Sequence, residues 1–150
     1  MTRHININNL TLIEKKYIIL SNFWCKENNI RIEMTDCIPL GDGSYDDHLL
    51  SRSDTKNNKI YLRKDIDLLS MKDEKSNLVI NIINAIIPFI YKSDNTPYTN
   101  QHLNTCNELI DLYLFKNYNF DNIKTDNKFI QFNMEKIFDF IIWLKEKANA

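Results

Sequence analysis

The sequence predicts one α+β domain over residues 1–150, dominated by helices, with about four helices and a small sheet of two or three strands. Four segments carry the 3.6-residue apolar period of helices. The segment 30–34 alternates apolar and charged residues as half-buried strands do, and the segment 59–63 is predicted to be a second strand. The 150 residues, 43% of them hydrophobic, are enough to bury one sizeable core.

The first predicted helix covers residues 11–28. Thr11 before Glu14 has the spacing of a capping box, which satisfies free backbone donors at a helix start. The apolar residues predicted on its buried face are Ile13, Tyr17, Leu20 and Trp24. Two consecutive asparagines at 28 and 29 are expected to end the helix.

The segment 35–58 lacks a clear period and is predicted to be a long loop with one short helical turn at 46–50. It contains both glycines of the chain, Gly41 and Gly43, and is rich in Asp and Ser. Loops of this length inside a domain are often functional. The strands on either side are predicted to pair with each other across this loop.

The most apolar helix is predicted at 76–92, after a short helical turn at 65–71. Its polar or helix-breaking positions form one narrow stripe at 100° per residue: Asn77, Asn81, Asn84 and Pro88. A helix that is apolar on its other sides is normally buried. The stripe is therefore interpreted as the solvent-exposed edge of this helix rather than as a binding groove. Pro88 is expected to kink or end the helix because it lacks a backbone donor.

Two further helices are predicted at 100–118 and 133–147. Asn133 is the predicted N-cap of the last helix, and residues 129–132 are assigned to a short strand or to its lead-in. The predicted buried faces are Leu103, Cys106, Ile110, Tyr113 and Leu114 in one helix and Ile137, Phe138, Ile141, Leu144 and Ala148 in the other.

The composition bears on the partners, the source genome and the cellular location of the protein. Nineteen Lys and Arg against 20 Asp and Glu give no basic excess that would favour nucleic acid or an anionic membrane. The abundance of Ile, Asn and Lys predicts an AT-rich genome, that of a bacterium, a phage or a large DNA virus. Three cysteines without a CxxC pair and an N-terminus without a signal-peptide core predict a soluble cytoplasmic protein with reduced thiols.

The common catalytic motifs are missing from the sequence. It contains no P-loop, no GxGxxG, no HExxH and no GxSxG, and each of these motifs has a physical role in binding phosphate or metal or in placing a nucleophile. Cys25 and Cys106 fall on helical faces and are expected to be small buried hydrophobes. No cofactor and no resident metal are expected, and the prediction leans away from an enzyme.

The acidic part of the long loop carries the leading functional hypothesis. Residues 30–54 hold six acidic and two basic residues, a local balance of -4. The residues predicted to contact a partner are Glu33, Asp42, Tyr45, Asp46 and Asp47, with Tyr45 as the aromatic anchor. Because complementary charge mainly governs association rate and partner choice, the sequence predicts a protein-binding inhibitor, of the immunity or antitoxin type, that neutralises a basic toxin or host factor.

Three alternatives stay open. Asp46, Asp47 and His48 supply the groups that a small metal-dependent hydrolase or nuclease would use. A structural or assembly subunit would also fit the compact helical composition. The basic run 56–64 includes Tyr61, which would offer a stacking surface to nucleic acid, but acidic residues follow it directly and nucleic acid is disfavoured as a partner.

Overall fold

The computed structural model of the protein describes residues 10–66, 77–120 and 125–150. Within these ranges the chain forms helix α1 (Leu12–Glu27), strands β1 (Arg31–Thr35), β2 (Ile38–Pro39), β3 (Tyr45–Asp46), β4 (Ser51–Asp54) and β5 (Lys59–Arg63), and helices α2 (Asn77–Ser93), α3 (Asn100–Ile110) and α4 (Lys128–Ala148). One π-helical turn, Asp111–Phe115, continues α3. The predicted helix-dominated α+β class is therefore confirmed. Most of the turn predicted at 65–71 lies outside the described residues.

Helix α1 begins as the sequence predicts. The Glu14 amide donates to Thr11 Oγ1 (3.3 Å), and the Thr11 amide donates to Glu14 Oε1 (2.9 Å), which completes the predicted capping box. Tyr17 is buried as expected, whereas the deepest apolar neighbours are Ile18 and Cys25. The other predicted face residues, Ile13, Leu20 and Trp24, are half-buried against the core.

The main sheet has three strands in the order β1-β5-β4. Strands β1 and β5 pair in parallel, with Ile32 opposite Ile60 and Met34 opposite Leu62, so the predicted pairing is confirmed. A parallel pair needs a long crossover connection, and residues 36–58 provide it. The antiparallel strand β4 covers the other edge of β5.

The prediction of an unstructured loop at 35–58 was wrong in part. Strand β4 forms there, and β2 and β3 pair as a two-stranded sheet. The sequence of β4, Ser-Arg-Ser-Asp, contains no apolar alternation. Backbone pairing to β5 and a hydrogen bond from the Ser53 hydroxyl to the Ala85 carbonyl of α2 (2.6 Å) hold this strand, rather than the burial of apolar side chains. The helical turn predicted at 46–50 is not formed, since Asp46 belongs to β3 and bends follow it.

The core lies between the sheet and the four helices, and α2 is its centre. Its fully buried residues include Val79, Ile83, Ile86, Ile87 and Tyr91. The helix continues through Pro88 to Ser93, so the proline does not end it. Asn81 and Asn84 are half-buried and line a cleft, whereas the sequence suggested an exposed edge. No helix in the described ranges has the length and hydropathy that a membrane span requires.

Helix α4 begins earlier than the sequence predicts. Asn127 is the N-cap, and its Oδ1 accepts from the amides of Phe129 (2.9 Å) and Ile130 (3.2 Å). Residues 129–132 are therefore helical, and Asn133 is a fully buried residue inside the helix. The predicted buried face of α4 is confirmed except at Phe138, which is 43% exposed. Phe140 is buried in the core instead.

Candidate functional site

Four of the five predicted contact residues lie together on one hairpin. Strands β2 and β3 pair antiparallel, with Ile38 opposite Asp46 and Pro39 opposite Tyr45. We call residues 38–49, which include this pair and the bend after it, the acidic hairpin. Ile38 is fully buried, so the first strand of the hairpin is anchored in the interior while its loop extends into solvent.

The loop of the acidic hairpin is closed by hydrogen bonds to Asp42. Its Oδ1 accepts from the Ser44 amide (2.9 Å) and from the Ser44 hydroxyl. Both bonds lower the pKa of the Asp42 carboxyl below its ordinary value, because they favour its charged form. The bond from the Ser44 hydroxyl contributes most to this shift. Gly41 and Gly43 have φ of +88° and +92°, a left-handed backbone that glycine adopts without strain.

A second turn follows at Asp46. Its Oδ1 accepts from the amides of His48 (2.7 Å) and Leu49 (3.0 Å), a side-chain-to-backbone turn that Asp commonly makes. The same two amides lower the pKa of the Asp46 carboxyl. Asp46 therefore shapes the hairpin as well as contributing charge.

Two arginines fasten the acidic hairpin to the main sheet. Arg52 Nη1 on β4 donates to the Pro39 carbonyl (3.1 Å), and the Arg63 guanidinium on β5 donates to the Asp47 carbonyl. Arg63 also forms a two-bond ion pair with Asp65, each bond 3.0 Å. Because both arginines bind backbone carbonyls of the hairpin, its position relative to the sheet is defined.

The groups that the hairpin presents to solvent are Asp42, Tyr45, Asp47 and His48. Tyr45 is 69% exposed, the highest exposure of any Phe, Tyr or Trp among the described residues. The side chains of His48 and Asp47 are 93% and 75% exposed, with His48 Nε2 at 3.5 Å from Asp47 Oδ1. The fifth predicted residue, Glu33, lies on β1, where its carboxylate pairs with Lys59 at 3.8 Å, so it is not part of this hairpin.

The residues of the metal-enzyme hypothesis do not converge. Asp46 is engaged with backbone amides, and Asp47 and His48 are solvent-exposed. Among the described residues no group of three His, Cys, Asp or Glu side chains is placed to hold a metal ion. A catalytic metal site needs several ligands on one ion, and the hairpin does not supply them.

The two helical cysteines are buried, as the sequence predicts. Burial raises the pKa of the Cys25 thiol to about 11, and it does the same for Cys106, where a hydrogen bond with the Tyr91 hydroxyl acts in the opposite direction. A thiol with so high a pKa is protonated at neutral pH, and the protonated form is a poor nucleophile. Both cysteines therefore belong to the core.

Among the surface grooves of the described residues, two lie between packed helices. The Asn cleft, of about 920 Å³, is bordered by Asn81 and Asn84 of α2, and Asn84 donates a hydrogen bond to Asn107 Oδ1 on α3. The sequence analysis interpreted this polar stripe as an exposed edge, and the structure places Asn81 and Asn84 at a cleft instead. The Trp groove, of about 850 Å³, includes Trp24 and Trp143, which are too distant in sequence for any local pattern to connect them.

Comparison with known proteins identifies no protein similar to this chain. No family model matches the chain, and neither the curated proteins nor the solved structures contain a match.

Proposed function

We propose that this protein is a protein-binding inhibitor, of the immunity or antitoxin type, and that its acidic hairpin docks on a basic surface of a toxin or host factor. One observation carries the proposal: Tyr45 stands 69% exposed between two exposed aspartates on a hairpin whose backbone is fixed. Tyrosine is enriched at the energetically dominant positions of protein interfaces, and the rims of such interfaces are polar.

The fixed backbone favours binding because little conformational entropy is lost on contact. Side-chain bonds from Asp42 and Asp46 close the two turns, and Arg52 holds the hairpin to the sheet. A surface that is already ordered avoids much of the ordering cost of association. Tyr45 in particular brings a large contact area with few rotatable bonds.

The charge of the hairpin favours a basic partner. Asp42 and Asp47 are exposed carboxylates. The arginines that balance this charge, Arg52 and Arg63, bind backbone carbonyls behind the loop. Exposed carboxylates of this kind accelerate encounter with a positively charged surface and are screened by salt.

The test is the association rate with a basic partner, taken from the neighbouring genes or captured from the source cell and then purified. In the Asp46→Asn/Asp47→Asn variant we expect the association rate at low salt to fall about tenfold and its salt dependence to flatten. The amide oxygen introduced at position 46 can still accept the backbone hydrogen bonds of the turn, so the hairpin keeps its shape. Tyr45→Ala should instead raise the dissociation rate.

Glu108→Gln provides the matched control, because Glu108 is an exposed carboxylate on α3 outside the hairpin. Its association rate should equal that of the unmodified protein. An Asp46→Asn/Asp47→Asn variant that associates as fast as the Glu108→Gln control, with the same salt dependence, would remove the acidic hairpin from the interface.

A further inference from the structure

The Trp groove is lined by residues that have no part in the proposed inhibitor function. It lies between the C-terminal ends of α1 and α2 and the middle of α4. Its volume of about 850 Å³ falls within the range of small-molecule sites. Six of its residues carry the argument: Trp24, Phe89, Glu135, Asp139, Phe140 and Trp143.

Aromatic rings form one wall of the Trp groove. The Phe140 ring meets Trp24 edge to face at 5.2 Å between centroids and is roughly parallel to Trp143 at 6.1 Å. Phe140 and Phe89 are buried, whereas both tryptophans are half-buried, and Trp143 is also roughly parallel to Phe23 at 6.5 Å between centroids. Indole rings attract cations more strongly than other aromatic side chains do.

Carboxylates form the rim of the same groove. Glu135 and Asp139 are four residues apart on α4 and exposed, and neither forms an ion pair with any residue that the structure describes. Like charges at this spacing destabilise a helix by a few tenths of a kcal/mol. The groove is also lined by Asp94 and by two lysines, Lys92 and Lys136. Asp94 and Lys136 form an ion pair at 3.0 Å, and the Lys92 ammonium donates to the Thr55 carbonyl. The three carboxylates therefore exceed the two ammonium groups of the lining by one charge.

We propose that the Trp groove binds a small organic cation whose head group is a methylated ammonium. Such a head group has apolar methyl groups that pack on indole faces and a positive charge that the ring faces attract. Glu135 and Asp139 would supply the opposing charge at the rim. An anionic ligand would be repelled by these carboxylates, and a neutral ligand would leave their mutual repulsion in place.

Binding can be followed by intrinsic fluorescence, because the chain has two tryptophans and both line the groove. The probe is choline chloride, titrated at constant ionic strength. Its neutral control is 3,3-dimethylbutan-1-ol, which has the same shape without the charge. We expect a saturable change in emission with choline and an affinity at least about tenfold lower for the neutral analogue.

Variants then locate the site. Glu135→Gln/Asp139→Asn should raise the dissociation constant of choline about tenfold. Glu146→Gln should leave it unchanged, because Glu146 is exposed two turns further along the same side of α4 and does not line the groove. Circular dichroism and thermal unfolding establish that each variant is folded.

Three results would overturn the proposal: no saturable response to choline, equal affinity for the neutral analogue, or a Glu135→Gln/Asp139→Asn variant that binds choline as the unmodified protein does. The comparison of choline with its neutral analogue uses the unmodified chain, so it decides even if the double variant fails to fold. The outcome is independent of the inhibitor role, since Asp42, Tyr45, Asp46 and Asp47 are not part of this groove.

Discussion

Asn133 joins three helices through one buried side chain. On α4 its Nδ2 donates to the Phe129 carbonyl (2.8 Å). Its Oδ1 accepts from the Tyr91 hydroxyl on α2 and from the Cys106 thiol on α3, the latter at 3.8 Å. Because buried polar groups are costly when unpaired, these bonds specify how α2, α3 and α4 meet.

Replacing Asn133 tests this role. Asn133→Leu should lower the free energy of unfolding by about 1–3 kcal/mol, because the Tyr91 hydroxyl loses a buried acceptor. Urea unfolding measures the change. In a Tyr91→Phe background the same substitution should cost clearly less, since no hydroxyl is left unpaired; an equal cost in both backgrounds would show that packing, not the hydrogen bond, is responsible.

The residues of the acidic hairpin could be predicted from composition, but their geometry could not. Acidic residues around two glycines indicated an exposed polar segment. Glu33 joined the prediction only because it is near in sequence, and the structure places it on β1 beside Lys59. The two arginine contacts to hairpin carbonyls depend on the sheet, and no local pattern encodes them.

At the scale of elements, local signals predicted α1 well because its capping box and its apolar period lie within one segment. The start of α4 was ambiguous, since Asn127 and Asn133 are both acceptable caps by type. Asn133 is placed inside the helix by its bond to Tyr91, 42 residues away. Strand β4 was missed because pairing to β5 defines it rather than its own side chains.

Pro88 provides a prediction for α2. It lies inside the helix and has no amide hydrogen to donate to the Asn84 carbonyl four residues earlier. An interior proline normally destabilises a helix by about 3 kcal/mol relative to alanine. Pro88→Ala should therefore raise the free energy of unfolding by about 1–3 kcal/mol. Pro97→Ala, in the exposed connection to α3, is the control and should change stability little. A destabilised Pro88→Ala protein would mean that the proline ring is needed for packing beside the Asn cleft.

At the scale of the whole molecule, the buried apolar residues of the described ranges, apart from Ile38, form one continuous cluster. It contains residues of all four helices and of β5, among them Tyr17, Ile60, Ile86, Ile110 and Ile141. A core shared by every helix leaves no obvious plane along which the chain would divide. That residues 1–150 form a single domain stays a prediction.

A single domain of this size should unfold in one cooperative transition. Tryptophan fluorescence reports on Trp24 and Trp143, near the contact of α1 with α4, whereas far-ultraviolet circular dichroism reports on all helices. We expect the two signals to give the same urea midpoint and the same slope. Midpoints that differ beyond experimental error would divide the chain into two independently unfolding parts.

The packing of α1 on α4 has a consequence for the order of events on the ribosome. Trp24 meets Phe140 at 5.2 Å, and the Lys16 ammonium donates to the Ala148 carbonyl at 3.2 Å, so an early helix is covered by a late one. A nascent chain can form α1 soon after it emerges, because helix formation is local and fast. The part of its surface that packs on α4 stays uncovered until α4 has been made, even after α2 is in place, and exposed apolar surface of this kind makes a partly folded chain prone to aggregation.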